Sequence, residues 1–163
     1  CSSDLPLLAD LKIVDAGSKI GGMLLDGRPD FTTILCACEP GTITSVQAEA
    51  KKRGLNTKLQ IELYGHWSFE DVKLWKELGI SQLTLQHSGD KPGGWDEEEI
   101  ATLKKLCDMG IDVAATGSIG YDDLEKFRGI PVSCFIFGRA IRKAADPAKE
   151  ARRMKEKIKE IWS

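Results

Sequence analysis

The sequence lacks any apolar run long enough to cross a membrane. Its runs are about 4 to 8 residues long, whereas a membrane-spanning helix needs about 20. It also lacks an excess of one charge, because 23 lysines and arginines stand against 25 aspartates and glutamates among 163 residues. We therefore expect no membrane span and no nucleic-acid or anionic membrane partner, and any anionic ligand must be bound by a local site.

The cysteines are odd in number and do not suggest a disulfide framework. The five of them lie mostly within apolar patterns, which favours buried thiols and a reducing, cytoplasmic location. Cys36 and Cys38 could form a metal pair, but a spacing of two places both on one face of a predicted strand, which favours core packing. The chain begins at Cys1 without a leader resembling a signal peptide, so we expect a processed or truncated chain.

Short apolar runs alternate with amphipathic segments along the chain. The predicted strands are LPLLADLKI, FTTILCAC, KLQIELYG, ISQLTLQH, IDVAATGS and PVSCFIFGR. Helices are predicted over residues 15–27, 44–53, 68–78, 96–109, 121–127 and 147–162. Ser68 with Asp71 resembles a cap, and the basic last helix contains enough glutamates to favour a solvated face over nucleic-acid binding. Six strand-helix units in alternation imply an α/β protein with a parallel sheet.

Polar residues at the strand ends favour one of two parallel architectures. They are Asp10 and Lys12, Glu62, His87, Thr116 and Gly117, and Gly138 and Arg139. A barrel gathers all strand ends around one mouth, whereas an open doubly wound sheet concentrates ligand contacts near one switch point. The distributed pattern favours a (β/α)8 TIM-type barrel, which has eight strands over typically about 250 residues. We therefore expect one barrel domain over 1–163, N-terminally incomplete, with about six of the eight units.

Two small-residue turns follow the last two predicted strands. The first is TGSIG, with Gly117 and Ser118, and the second holds Gly138 and Arg139 before a helix. Glycine allows close backbone approach, helix-start amides point at an anion, and arginine offers a bidentate fork. Barrels build phosphate sites after their last two strands. The turns predict a phosphate site, the alternative being two tight turns with Arg139 in a surface salt bridge.

The stretch ADLKIVDAG places Asp10, Lys12 and Asp15 at the end of the first strand. Asp10 and Lys12 share a strand face, and neighbouring carboxylates keep a lysine protonated. Such an ammonium can stabilise an enolate or give it a proton, and a carboxylate near a substrate carboxylate favours loss of carbon dioxide. The alternative is a buried structural ion-pair cluster.

Three further polar residues are candidates for the same chemistry. Glu62 interrupts an apolar strand, which indicates either a partner in the barrel mouth or an outward orientation, and we favour the mouth. His87 stands at a strand end and is the better acid-base candidate of the two histidines. His66 is interpreted as structural.

Several of these motifs, in this order, resemble the 3-keto-L-gulonate 6-phosphate decarboxylases of the orotidine 5'-monophosphate decarboxylase suprafamily. The motifs are ADLKIVDAG, QIELYGHW, DMGIDVAATGSIG, FIFGRAIRKAADP and IKEIWS, and the similarity runs from Leu8 to Ser163. The resemblance implies a (β/α)8 barrel homodimer that uses Mg2+ and decarboxylates a sugar-acid phosphate through an enediolate. The pathway it implies is the utilisation of L-ascorbate or related sugar acids.

The resemblance also implies roles for individual residues. Asp10, Lys12 and Asp15 match a D-x-K-x-x-D motif, in which the first aspartate helps to hold magnesium, the lysine stabilises the enediolate and the last aspartate reaches the neighbouring subunit's site. Glu62 matches the glutamate that orders the proton-delivery side. The phosphate-contacting positions are matched by Ser118, Gly138 and Arg139.

Two departures from the family are visible. This chain has neither of the first two strand-helix units, the second of which carries a glutamate that also serves magnesium. In LQHSGD, Gln86 and Gly89 stand where the decarboxylases show the histidine and arginine of H-x-x-R, and His87 is displaced by one residue. A shift of one residue turns a strand side chain to the other face, although a bulge at the strand end can restore it.

These departures leave two alternatives to the decarboxylase. The related 3-hexulose-6-phosphate synthases lack that arginine and join formaldehyde to ribulose 5-phosphate through a similar enediolate. A chain with an incomplete barrel could also bind a phosphate or a partner chain without catalysis, because open barrel edges expose unpaired backbone and apolar surface.

Overall fold

The computed structural model describes residues 5–162, apart from the side chain of Leu24. The strands of this part of the chain are Leu8–Ile13 (β1), Phe31–Leu35 (β2), Lys58–Leu63 (β3), Gln82–Gln86 (β4), Asp112–Thr116 (β5) and Cys134–Ile136 (β6). Its α-helices are Gly17–Leu24 (α1), Pro40–Lys52 (α2), Phe69–Glu77 (α3), Glu97–Asp108 (α4), Arg139–Arg142 (α5) and Pro147–Ile161 (α6). Each predicted strand and helix is present, with different ends, except that 121–127 is a 3-10 helix over Asp122–Phe127.

The chain divides into two compact units, which we call unit 1, up to Thr84, and unit 2, from Leu85 onward. The boundary falls inside β4. The expectation of one domain over 1–163 stays a prediction, as does the expectation that the domain is incomplete. Cys1, on which the expectation of processing rests, lies outside the described residues.

In unit 1, β1, β2 and β3 are parallel, and β2 lies between its two neighbours. The core is apolar, with Ile34, Ile43, Val46 and Ile61 completely buried. Helices α1 and α2 approach closely at Gly17, where an added Cβ would lie 2.5 Å from the carbonyl oxygen of Thr42. Helix α3 begins with the predicted cap, because Ser68 and Asp71 exchange hydrogen bonds in a capping box.

The pairing of β1 with β2 is irregular at its carboxyl end. Ala9 pairs with Thr32 and Ile13 with Ile34, so four residue steps of β1 face two of β2. Lys12 lies inside this bulge with a φ of 47°, a left-handed conformation that few lysines adopt. The bulge therefore changes the backbone at the residue that the sequence marks as catalytic.

In unit 2, β5 and β6 are parallel, with Ala114 opposite Cys134 and Thr116 opposite Ile136. Its core contains the completely buried side chains of Leu103, Leu106, Val113, Leu124 and Phe127. Helix α4 begins with a capping box between Asp96 and Glu99 and carries glutamates throughout its first turn, where the helix dipole favours them.

The cysteines differ in part from the prediction. Strand β2 ends at Leu35, so Cys36 and Cys38 lie in the following turn and the prediction that both sit on one strand face is wrong. Both are nevertheless buried free thiols, and burial raises the pKa of Cys38 to about 11. Cys36 bonds the backbone of Tyr64 in both directions, which extends the contact between the two strand ends. Cys107 and Cys134 are free as well, and Cys134 is exposed.

Among the helices of residues 5–162, none is both long enough and apolar enough to cross a membrane. The cytoplasmic location stays a prediction.

Candidate active-site residues

Lys12 in unit 1 is held between two carboxylates. Its Nζ lies 2.8 Å from Oδ1 of Asp10 and 2.6 Å from Oε2 of Glu62. Glu62 is buried at 4% exposure, so it faces its partner rather than solvent, as we favoured. The side chain of Lys12 is 46% exposed, so a ligand can approach it from solvent. Lys12 therefore contacts both Asp10 and Glu62, two other residues that the sequence singled out.

The two carboxylates control the protonation of Lys12. Partial burial favours the neutral amine, but the hydrogen bonds and charges of Asp10 and Glu62 outweigh it and raise the pKa of Lys12 above its ordinary value of 10.5. Lys12 is therefore a stable ammonium at neutral pH. An ammonium that is charged and half exposed can stabilise an oxyanion on a bound molecule.

One residue of this cluster was not found from the sequence. Thr33 lies next to Gln60 in the β2–β3 register, and its hydroxyl lies 2.9 Å from Oδ1 of Asp10 and 2.9 Å from the backbone nitrogen of Lys12. The only signal in the sequence is a threonine pair within an otherwise apolar strand. That signal is weak because threonine is common in strands.

Asp15 does not join the cluster. It lies in the exposed connection between β1 and α1, and no hydrogen bond or ion pair links it to another of residues 5–162. A carboxylate in this position is free to reach a second molecule, as the resemblance implies. That role stays a prediction.

The described residues do not complete a magnesium site. Mg2+ prefers six oxygen ligands in a nearly regular octahedron, often from one or two carboxylates together with waters and phosphates. Residues 5–162 contain no group of three or more acidic, histidine or cysteine side chains placed to hold a metal ion. Asp10 offers a half-exposed carboxylate, but Oδ1 is already bonded to both Lys12 and Thr33. Among the described residues, Asp10 alone would supply a carboxylate ligand to such an ion.

In unit 2, the predicted phosphate residues line one cleft of about 480 Å³. The cleft is bounded by the turn after β5 and by the start of α5. Gly117, Ser118, Gly138 and Arg139 all line it, together with Thr116, Asp123 and Arg142. Arg139 is exposed and forms no ion pair with another described residue, so the alternative of a surface salt bridge is not found. Two arginines at a turn of small residues suit an anion such as a phosphate.

The turn after β5 requires glycine at its first position. Gly117 has a φ of +86°, and an added Cβ would lie 2.1 Å from the carbonyl oxygen of His87. Ser118 follows with a φ of 50°, also left-handed. The indole Nε1 of Trp95 donates a hydrogen bond of 2.8 Å to the carbonyl oxygen of Gly117. The turn is therefore fixed from two sides, while the Ser118 side chain stays exposed.

His87 is completely buried, and both of its ring nitrogens have partners. Nδ1 lies 3.0 Å from both carboxylate oxygens of Glu99, and Nε2 lies 3.2 Å from the carbonyl oxygen of Lys91. No ring nitrogen is left for a substrate in this conformation, so the geometry favours a structural role. The acid-base function of His87 stays a prediction. His66, interpreted as structural, is exposed.

Comparisons with known proteins identify relatives of this chain. The 3-keto-L-gulonate-6-phosphate decarboxylase of Escherichia coli O139:H28 is 38% identical over 159 residues, which are 96% of this chain and 73% of that protein. A ligand-bound crystal structure of KGPDC from Streptococcus mutans superposes with a TM-score of 0.92 at 34% identity, over 98% of this chain and 75% of that one. The 3-hexulose-6-phosphate synthase of Salmonella typhimurium gives a TM-score of 0.82 at 26% identity, over 96% of this chain and 74% of that one.

These relatives confirm the predicted fold class and the predicted type of protein. The fold is that of the TIM-type barrels of this family, of which residues 5–162 contain six strand-helix units. The Escherichia coli relative is a decarboxylase, which is a carboxy-lyase, and this confirms the prediction of an enzyme of that class. The profile of the Orotidine 5'-phosphate decarboxylase / HUMPS family matches residues 2–154. On this match and on the identity to the decarboxylase, the chain belongs to the Orotidine 5'-phosphate decarboxylase / HUMPS family.

Proposed function

We propose that this protein decarboxylates 3-keto-L-gulonate 6-phosphate through an enediolate, in the utilisation of L-ascorbate or related sugar acids. The observation that carries the proposal is the Lys12 ammonium between Asp10 and Glu62, at 2.8 and 2.6 Å. The 38% identity to a decarboxylase with this name supports the choice of substrate.

In unit 2, Arg139 is assigned a charge-assisted contact to the phosphate. Gly117, Ser118 and Gly138 are assigned backbone or hydroxyl contacts, because small residues let a phosphate approach the main chain. Their common position around one cleft supports this assignment. A phosphate held in this way fixes the substrate without taking part in the reaction, and its binding energy can position the reacting carbons.

In unit 1, the reaction breaks the bond between the substrate carboxylate and the neighbouring carbon. Carbon dioxide leaves without the bonding electron pair, which remains as an enediolate. The half-exposed Lys12 ammonium stabilises the negative charge that develops on the enediolate oxygens. Asp10 keeps Lys12 protonated and places a negative charge beside the departing carboxylate. Glu62 orders the side from which a proton then reaches the carbon.

Three finer assignments belong to the same proposal. Asp10 is one carboxylate ligand of a Mg2+ ion, whose remaining ligands are not among the described residues. Asp15, exposed and unpaired within residues 5–162, reaches the site of a second copy in a homodimer. The protein acts in the cytoplasm, in keeping with the metabolic reaction and with its free thiols.

The test is turnover by the purified chain. We expect release of carbon dioxide from 3-keto-L-gulonate 6-phosphate in the presence of Mg2+, and its loss after chelation. A folded chain without turnover on this substrate would overturn the proposal and leave a barrel that only binds ligands.

Shared sites have their own test. Lys12→Ala and Asp15→Ala chains are each expected to be impaired, and mixing them is expected to restore part of the activity if Asp15 acts across a dimer. Equal activity before and after mixing, in a sample shown to exchange subunits, would place Asp15 in its own subunit.

A second candidate is a 3-hexulose-6-phosphate synthase-like aldol enzyme. It is favoured by Gly89, which stands where the decarboxylases carry an arginine, and by the 26% identity to the Salmonella synthase. The same lysine would stabilise the enediolate of ribulose 5-phosphate while formaldehyde forms the new carbon-carbon bond. Formaldehyde-dependent consumption of ribulose 5-phosphate, without decarboxylation of the sugar acid, would select this candidate.

A further inference from the structure

We propose that Thr33 is a positioning residue that holds the Lys12 ammonium in its working geometry. The inference rests on the proposed function of Lys12 and adds to it a residue that does not touch the substrate. It is drawn from two hydrogen bonds of one hydroxyl, the bulge in β1 and the burial of Thr33.

The bulge creates the need for Thr33. Between Ala9 and Ile13, four residue steps of β1 face two of β2, so the backbone of Lys12 falls out of the regular ladder. Its nitrogen finds the hydroxyl oxygen of Thr33 instead, at 2.9 Å. A backbone N–H without an acceptor would favour a return to the regular register, which would move the lysine.

The same hydroxyl also orients the partner of Lys12. Having accepted from the Lys12 N–H, Oγ1 of Thr33 uses its single proton to donate to Oδ1 of Asp10, at 2.9 Å. Both oxygens of that carboxylate then face the Lys12 Nζ, at 2.8 and 3.1 Å. Thr33 thus connects the backbone of Lys12 to the carboxylate that binds its side chain.

Thr33 can do this because its own position is fixed. It lies in the middle of β2, paired with Gln60 of β3, and is 3% exposed. A β-branched side chain in a strand has few rotamers available. Its hydroxyl therefore has a fixed position, in contrast to the half-exposed side chains of Asp10 and Lys12.

The neighbouring threonine provides a matched control. Thr32 points to the other side of β2, is completely buried, and donates its hydroxyl proton to the carbonyl oxygen of Ala9 at 3.2 Å. Thr32→Val and Thr33→Val remove the same group from adjacent positions of one strand, and each breaks contact with β1. Only Thr33→Val is expected to disturb Lys12.

The experiment measures catalysis and the hydrogen exchange of the Lys12 backbone amide in the same set of variants. In Thr33→Val, we expect kcat to fall about ten- to hundredfold with KM nearly unchanged, because a misplaced catalytic group slows the chemical step. Thr33→Ser keeps the hydroxyl and is expected to recover most of the loss. Thr32→Val is expected to keep kcat within about threefold of the wild type.

The exchange of the Lys12 amide proton is followed by NMR of the folded chain without substrate. In Thr33→Val, this proton is expected to exchange about tenfold faster than in the wild type, because the Lys12 N–H has lost its Thr33 acceptor. Thr33→Ser and Thr32→Val are expected to keep the wild-type exchange rate within about threefold. If Thr33→Val does not fold, Thr33→Ala replaces it in both measurements.

An unchanged exchange rate of the Lys12 amide in the Thr33→Val variant, whatever its kcat, overturns the proposal. An equal rise of that rate in the Thr32→Val variant also overturns it, since a general loosening of β2 would then explain the effect. The exchange measurement needs no substrate, so it tests Thr33 even if the wild-type chain fails to turn over and the proposed function falls.

Discussion

Lys12 in unit 1 and His87 in unit 2 form similar contacts in very different surroundings. Each lies near the carboxyl end of a strand, and one side-chain nitrogen of each lies within hydrogen-bonding distance of a glutamate carboxylate. The Lys12 side chain is 46% exposed, whereas that of His87 is 0% exposed. The Lys12 ammonium is bound to side chains alone, while the His87 ring also bonds the main chain at Lys91.

The difference separates a group that a ligand can reach from a buried group that stabilises the fold. The Lys12 side chain is about half exposed, so a ligand can approach it from solvent. His87 would have to break its bond to Glu99 or to Lys91, and to become accessible, before it could exchange a proton with a ligand. Residue type and position at a strand end do not distinguish the two cases, but access of solvent does.

The largest effect is expected for Lys12→Met, which removes the ammonium and keeps most of the side-chain volume. We expect kcat to fall about 10²- to 10³-fold, the usual cost of losing one group that stabilises an oxyanion. The free energy of unfolding should fall by about 1–3 kcal/mol, because the buried Glu62 carboxylate loses its only partner among the described residues. Steady-state kinetics and urea unfolding measure the two effects.

Lys19→Met, at an exposed position of α1, is the matched control and should change neither quantity.

The wild type should also keep Lys12 as an ammonium well above neutral pH, because the pKa of Lys12 is raised. Activity that depends on the ammonium should decline only as the pH rises through that raised pKa. A Lys12→Met variant with kcat within threefold of the wild type would remove Lys12 from the mechanism.

His87→Leu should show the opposite pattern. The change leaves the Lys91 carbonyl without its ring partner and the Glu99 carboxylate with one partner fewer. We expect the free energy of unfolding to fall by about 2–4 kcal/mol, with kcat per folded molecule within about threefold of the wild type. His66→Leu, at the exposed histidine, should change stability by less than about 0.5 kcal/mol. A hundredfold loss of kcat in a stable His87→Leu chain would restore the acid-base role.

Features set by local sequence were predictable in both units. The caps at Ser68 and Asp96 follow from residues three positions apart, and both capping boxes are present. The face shared by Asp10 and Lys12 follows from the strand period. The cleft at Gly117 and Gly138 follows from two turns of small residues at corresponding places.

Features set by a neighbouring strand were not predictable. The bulge at Lys12 depends on its register with β2, and the role of Thr33 depends on that bulge. The burial of His87 depends on Glu99, twelve residues later. A single sequence shows directly neither how strands pair nor which side chains are buried. The wrong assignment of Cys36 to a strand and the open question of an acid-base role for His87 both have this cause.

Arg139→Ala tests the assignment of the phosphate to the cleft in unit 2. Loss of a charge-assisted contact of about 1.5–3 kcal/mol should raise KM about 10- to 100-fold, with a smaller change in kcat. Inorganic phosphate should inhibit the wild type in competition with substrate and inhibit the variant more weakly. Arg152→Ala, on the exposed side of α6, is the control and should keep the wild-type KM. Unchanged KM and phosphate inhibition in Arg139→Ala would move the phosphate away from this cleft.

The smallest effect is expected for Glu99→Gln, which weakens the hydrogen bond between Glu99 and His87 without removing it. Burial opposes the charge on Glu99, but the Asp96 N–H, His87 and Lys91 outweigh it and hold the pKa of Glu99 below its ordinary value of 4.5. The ionised group therefore stabilises the folded chain above that ordinary value, and the stabilisation is lost as the pH falls through the lowered pKa.

We accordingly expect Glu99→Gln to reduce the free energy of unfolding by about 1–2 kcal/mol at pH 7. The gap between variant and wild type should shrink as the pH is lowered past about 4. Urea unfolding at a series of pH values measures this gap. Glu98→Gln, in the same helical turn but exposed, should give a small gap at every pH. If the difference in unfolding free energy between Glu99→Gln and the wild type does not change with pH, Glu99 acts only through its shape and its hydrogen bond with Asp96. The position of His87 would then not depend on the charge of Glu99.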